Sequence, residues 1–237
     1  MDKPNAILFD FGDTLLGDLK FNPLAGNTHL LEKFAEGHGN LRPEDIQEAA
    51  VILGKELRPV SDPSLIELTT QQFNRLLYDQ FNITFRAAPE MIELEFWKAS
   101  VCYTPEPGIG ETLYAMKEYG VRMAVVSNFP FSGPVLSWEL EKQGLLEAFE
   151  FVISSADCGI RKPHPLIFST ALSKFGLSPS EVWFVGDTLQ SDIAGAKQAG
   201  LWAVWYNRQK KGAEGILPHA EVGRWSEFTA LVQGHLK

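Results

Sequence analysis

Residues 6–15 read Ala6-Ile7-Leu8-Phe9-Asp10-Phe11-Gly12-Asp13-Thr14-Leu15. Four apolar residues run without a break into a polar cluster. A continuous apolar run of this length suits a strand buried on both faces of a parallel sheet. Four later stretches follow the same grammar: Met123–Val126, Phe151–Ile153, Val182–Val185 and Trp202–Trp205. Helical patterns separate them. One spans Gly110–Tyr119 and stops at Gly120; another spans Pro165–Phe175 and stops at Gly176; a third spans roughly Asp192–Ala199 and stops at Gly200. Glycine just past the last periodic residue is a common helix stop. Alternating strands and helices predict an α/β fold, an open Rossmann-like parallel sheet with helices on both faces.

Residues 17–104 break the rhythm. No convincing strand is legible between Gly17 and Cys102, and the stretch reads as three or four helices. Ile46, Ala50, Leu53 and Leu57 form a stripe after Pro43, which sits at the favoured first helical position. Leu65, Leu68, Phe73 and Leu76 continue in the next helix, and Met91, Ile92, Phe96 and Ala99 in the one after. The expected organisation is a core of residues 1–16 and 105–237 with an all-helical insert over 17–104. Crossings near Leu16–Asp18 and Cys102–Gly108 would let the insert hinge over the sheet.

Composition narrows the function classes. The 237 residues carry 21 basic and 30 acidic side chains, a formal charge of −9, and 45% are hydrophobic. That balance describes an ordinary folded globule. The acidic balance argues against a nucleic-acid surface that neutralises phosphates, although a local field can still suit a small anionic substrate. Two cysteines, Cys102 and Cys158, exclude a disulfide scaffold and favour a reducing, cytoplasmic setting. No stretch reaches the length of a membrane span, and the opening Met1-Asp2-Lys3-Pro4-Asn5 and the short run after it do not make a signal peptide. The histidines (His29, His38, His164, His219 and His235) lack metal-ligand spacing; His164 fits a helix start.

Ligands of open α/β sheets bind beyond the carboxyl ends of the strands. There the chain places Asp10 to Thr14, then Ser127-Asn128, then Arg161-Lys162-Pro163, then Gly186-Asp187 through Asp192. Carboxylates Asp10, Asp187 and Asp192 suit a hard cation such as Mg²⁺. Ser127 and Asn128 can donate to phosphoryl oxygens, and Lys162 can balance the remaining anionic charge. Each residue alone reads as well as a cap or a turn. Four coincident strand ends read as phosphoryl transfer, a reaction carried by positioning and charge stabilisation.

In their order, these four segments resemble the motifs of the haloacid dehalogenase-like (HAD) hydrolases, and the insert resembles that family's helical cap. The resemblance covers essentially the whole chain. It implies a covalent aspartyl-phosphate on Asp10, Mg²⁺ held by Asp10, the Gly12 carbonyl and Asp187 with Asp192 close behind, and substrate contacts from Ser127, Asn128 and Lys162. It also exposes a departure. Phosphatases of the family carry an acid two residues after the nucleophile, where this chain has Gly12; an Asp follows one place later, at Asp13. Asp13 either turns inward as the catalytic acid or fixes the loop by bonding backbone amides. In the second case the cap supplies an acid, the leaving group needs none, or turnover is slow. The expected function is a Mg²⁺-dependent phosphatase of a small phosphorylated metabolite. A 2-haloacid dehalogenase and an idle phosphate binder are the alternatives. Phe96, Trp97, Phe129 and Phe131 could wall the pocket but are read as core or domain-interface filler, and Arg208, Lys210 and Lys211 could attract an anionic substrate but are read as a solvated loop.

Overall fold

The computed structural model describes residues 3–37 and 39–236, with 59–63 described by their backbone alone. Met1, Asp2, His38 and the last residue therefore lie outside the described residues. In chain order the elements are β1 (Ala6–Phe9), β2 (Leu16–Phe21), α1 (Pro23–Lys33), β3 (Ala35–Glu36), α2 (Pro43–Ser64), α3 (Thr70–Asp79), β4 (Thr84–Phe85), α4 (Pro89–Ser100), β5 (Val101–Pro105) and α5 (Ile109–Glu118). There follow β6 (Arg122–Ser127), α6 (Gly133–Lys142), β7 (Val152–Ser154), α7 (Ser155–Cys158), α8 (Pro165–Phe175), β8 (Val182–Gly186), a π-helical turn (Leu189–Ala194), α9 (Gly195–Gln198), β9 (Trp202–Tyr206), β10 (Ala220–Val222) and α10 (Trp225–Gly234).

Six parallel strands form the main sheet in the order β10-β9-β8-β1-β6-β7. All four β1 residues are fully buried. Strand side chains alternate between faces, and β1 divides accordingly. Ile7 and Phe9 join the layer containing Trp225 and Phe228, whereas Ala6 and Leu8 join the layer containing Phe168 and Phe184. The continuous apolar run is thus the signature of a strand feeding two cores. The chain leaves β1 for β6 and β7 on one side and returns to β8 on the other. This reversal opens a crevice at the carboxyl ends of β1, β6 and β8, where ligands bind in such sheets.

Helix α8 has the bounds expected of it. Pro165 opens it, the His164 ring accepts from the Leu166 N–H at 3.2 Å, and Gly176 closes it at a φ of 66°. Strand β10 and helices α6 and α10 add to the expected core. Three residues with one buried apolar side chain, as in β10, leave too little pattern to read.

The segment between the first two core strands is mainly helical but not strand-free. Strands β2 and β5 pair antiparallel, so the two chain crossings form one ribbon at its root. Four of the six β2 residues are exposed and they include Asp18 and Lys20; the pairing comes from the partner strand, not from an apolar pattern. A second, two-residue pair joins β3 to β4. Leu65 and Leu68 precede α3 rather than opening it. Leu65 ends α2 at a φ of 56°, and Thr69 starts α3 with a reciprocal capping box to Gln72.

Buried carboxylates tie this segment over the sheet. Glu93 accepts from the Ser132 hydroxyl at 2.7 Å and from the Ser132 N–H at 3.1 Å. The Trp97 indole donates to Glu139 at 2.9 Å, and the Ser155 hydroxyl donates to Glu67. Beside them the rings of Phe96, Trp97, Phe129 and Phe131 pack against one another, one pair stacked and the others edge-on or tilted. Among the described residues no helix is long and apolar enough to cross a membrane.

Candidate active site

The carboxyl ends of β1, β6 and β8 and the loop before α8 surround a cavity of about 530 Å³. Asp10, Gly12, Asp13, Ser127, Asn128, Lys162, Asp187 and Asp192 all line it. Every site residue singled out in the sequence therefore meets in one place, although up to 182 positions separate them.

Its centre is a buried ion triad. The Lys162 ammonium donates to Asp10 Oδ1 at 2.6 Å and lies 2.7 Å from Asp192 Oδ1. Lys162 is 2% exposed, Asp10 8% and Asp192 1%. Burying charges is tolerable only when they are paired and hydrogen-bonded, and here each is. Burial disfavours the lysine charge, but the two carboxylates outweigh it and hold its pKa above the usual value. Burial also pushes Asp10 up to about 6, against the pull of Lys162.

Asn128 fixes where that lysine stands. Its Nδ2 donates to the Lys162 carbonyl at 2.9 Å, and its Oδ1 accepts from the Lys162 N–H at 2.7 Å. Both ends of the amide thus bond the Lys162 backbone, and the second N–H of the side chain remains as a donor. Ser127, at the end of β6, lines the cavity and is without a side-chain hydrogen bond among the described residues. Its hydroxyl is free to donate to a ligand.

Asp192 is set by the wide π-helical turn, a feature frequent at functional sites. Its second oxygen accepts from the Thr188 N–H at 3.0 Å. Gly186 leaves room for it, because a Cβ at Gly186 would lie 2.5 Å from Asp192 Oδ2 and 2.7 Å from its Cγ. Gly186→Ala should therefore push Asp192 off Lys162. We expect a loss of about 1–3 kcal/mol, the usual cost of overpacking, read as a lowered urea midpoint. An unchanged midpoint would show that the loop absorbs the methyl group.

Asp187 sits beside the triad. Its backbone carbonyl accepts from the Trp205 indole at 2.8 Å. Burial, then the charges of Asp10, Asp192 and Asp13, push its carboxyl up to about 7. One oxygen each from Asp10, Asp187 and Asp192 can lie within 4.8 Å of one another. An all-oxygen donor set with excess negative charge fits Mg²⁺ in ligand chemistry and in charge. Within it Asp192 is already engaged at both oxygens, so Asp10 and Asp187 are the carboxylates open to an ion.

Position 13 corrects an expectation. The Asp13 carboxylate bonds no backbone amide among the described residues. The loop closes through its own backbone instead, with the Asp13 N–H donating to Leu16 O at 2.8 Å and the Leu15 N–H to Phe11 O at 2.9 Å. Asp13 adopts a φ of 52°, and its side chain is exposed where it lines the cavity. Arg208 also departs from the solvated-loop reading, because its guanidinium lies 3.1 Å from the buried Glu106 carboxylate.

Two cavity residues come from the helical segment and its root and were not anticipated. Leu65 is one. The pairing of Leu65–Glu67 with Gly159–Arg161 brings it there, through the Arg161 N–H to Leu65 O and the Glu67 N–H to Gly159 O. Tyr103 on β5 is the other. Neither carries a local motif; only the folded chain places them opposite Asp10.

Residues 4–200 match the haloacid dehalogenase-like hydrolase family. A glyceraldehyde 3-phosphate phosphatase of Pyrococcus abyssi is 38% identical over 105 residues, 44% of this chain and 43% of that one. The chain spans about half the length of the curated relatives it matches. Among solved structures, a 2-haloacid dehalogenase from Pseudomonas syringae pv. Tomato superposes with a TM-score of 0.68 at 25% identity, covering all of both chains. A HAD phosphatase from Thermococcus onnurineus gives 0.67 at 22% identity, again over both full chains.

Proposed function

The chain belongs to the haloacid dehalogenase-like hydrolase family, and on that premise we propose that it is a Mg²⁺-dependent phosphatase of small phosphorylated metabolites. The observation that carries this reading is the triad of Asp10, Lys162 and Asp192 beside Asp187 in a single cavity. Curated relatives named for glyceraldehyde 3-phosphate and phosphoglycolate support the phosphatase class.

In the proposed reaction an Asp10 oxygen attacks phosphorus, and the ester oxygen departs. An aspartyl-phosphate forms, which water then opens. Lys162 keeps Asp10 ionised and balances charge as the phosphoryl group approaches. Ser127 donates to a phosphoryl oxygen, while Asn128 and Asp192 hold Lys162 in register. Asp10, Asp187 and the Gly12 carbonyl would hold Mg²⁺, which would offset the anionic charge of the carboxylates and the phosphoryl oxygens. Residues 17–104 serve as the cap that closes over the core of 1–16 and 105–237 and excludes water.

Release of phosphate from p-nitrophenyl phosphate with and without Mg²⁺, alongside chloride release from 2-chloropropionate, tests the reading. Mg²⁺-dependent phosphate release is expected. Chloride release without metal would favour the dehalogenase, and neither product would favour the idle binder.

A second test needs no turnover. Binding to the folded state stabilises by about 2.7 kcal/mol at a hundredfold excess over Kd. Added Mg²⁺ should therefore raise the melting temperature, and chelation should reverse the rise. Asp187→Asn should abolish the shift, since it removes one of the two carboxylates proposed to hold the ion. An equal Mg²⁺ shift in that variant would place the ion elsewhere.

A further inference from the structure

We propose that Tyr103 is the proton donor to the leaving group, supplying from β5 the acid that Gly12 lacks. This inference rests on the phosphatase reading. Its ground is a single juxtaposition. A Cβ built on Gly12 would lie 3.8 Å from the Tyr103 hydroxyl, which is its nearest neighbour. The phenol thus stands roughly where the carboxyl group of an acidic side chain at position 12 would reach. Tyr103 lines the same cavity as Asp10.

The ring is held rather than loose. Phe11 meets it edge-on at 5.3 Å between centroids, and Trp97, anchored on Glu139, stacks at 6.2 Å. The ribbon also presents it. Gly17 pairs with Thr104 and Lys20 with Cys102, so Asp18 and Leu19 together oppose the single residue Tyr103. Asp18 adopts a φ of 51°. This is a β-bulge, a device that re-aims side chains and is common beside active sites. The Tyr103 hydroxyl has no hydrogen-bond partner among the described residues, although a half-buried phenol usually finds one. A leaving-group oxygen would be that partner.

The chemistry balances. As the Asp10 oxygen bonds to phosphorus and the bond from phosphorus to the ester oxygen breaks, the phenol proton passes to that oxygen, releasing an alcohol and leaving a phenolate. In the second step the phenolate takes a proton from the attacking water. Phosphate leaves, and Asp10 and Tyr103 return to their starting states.

Tyr103→Phe keeps the ring and removes only the hydroxyl. General acid help is typically worth about 10²–10⁴-fold. We expect kcat for glycerol 3-phosphate, phosphoglycolate and ribose 5-phosphate to fall by about that factor, with KM within about threefold. Acetyl phosphate needs no proton on departure, and its turnover should stay within about threefold. Adding Gly12→Asp to Tyr103→Phe should restore the alkyl esters, which a purely structural role would not permit. Equal turnover of both classes by parent and Tyr103→Phe overturns the assignment alone. So does a parent active on acetyl phosphate and inert on all three esters. So too does loss of ester turnover in Asp13→Asn but not in Tyr103→Phe. A parent inert toward both classes instead overturns the phosphatase reading, and the Tyr103 role with it. On the unaltered chain, kcat should depend only weakly on leaving-group basicity; a steep dependence overturns the assignment without any variant.

Discussion

Asp10→Asn should abolish turnover of every phosphate ester while leaving the fold in place. The amide keeps the shape of the side chain but has no carboxylate to attack phosphorus. Removing a nucleophile from a machinery that acts as a unit costs on the order of 10⁴–10⁶-fold in kcat. The structural cost is much smaller, for a reason particular to this site. Asp10 is a buried carboxylate whose desolvation raises its pKa despite the lysine beside it. Neutralising it removes that desolvation penalty, and Lys162 keeps Asp192 at 2.7 Å as its counter-charge. The asparagine oxygen can still accept from the ammonium. The check is steady-state release of phosphate together with the urea midpoint. Turnover near the parent level would remove Asp10 as the nucleophile. Lost turnover accompanied by unfolding would leave Asp10 a structural residue.

The sheet was legible in the sequence because its physics is local. A strand buried on both faces must be apolar at every position, and β1, β8 and β9 are close to that limit. The site residues were legible for a related reason. The sheet reverses direction at β1, and that forces the polar ends of β1, β6 and β8 onto one rim. What could not be read depends on partners far apart in the chain. Strand β2 is mostly exposed and exists because β5 lies beside it. Tyr103 and Gly12 are 91 positions apart, and only that pairing brings a phenol to the place left by a missing side chain. The position of Asn128 after β6 suggests a phosphate donor, but nothing local shows that its amide also bonds the Lys162 backbone at both its oxygen and its nitrogen, a contact that spans a separation of 34 residues.

Lys162→Met should be the most damaging substitution to both stability and activity, and a second mutation should separate the two. Without the ammonium, Asp10 and Asp192 face each other as buried carboxylates with no cation between them. Breaking a buried pair by removing one partner typically costs about 3–5 kcal/mol, because an uncompensated charge remains. Here one lysine serves two carboxylates, so the upper end of that range is expected. Methionine fills nearly the volume of the lysine stem and can retain its contact with Phe184, over which the ammonium now lies at 5.0 Å. The loss is therefore electrostatic rather than a cavity effect. In Lys162→Met with Asp192→Asn, one of the two stranded charges is gone. An asparagine at 192 can still accept from the Thr188 N–H, as Asp192 does at 3.0 Å. The double variant should recover a large part of the lost stability, giving an interaction energy within the 0.5–3 kcal/mol common for groups of one network. Activity should not return with it, because no charge then balances Asp10 and the phosphoryl oxygens in the transition state. Urea denaturation of the parent, both single variants and the double variant measures the cycle, and phosphate release measures the chemistry. Additive stabilities would mean that Lys162 and Asp192 are not energetically coupled. Activity that recovered together with stability would mean that Lys162 serves the fold alone.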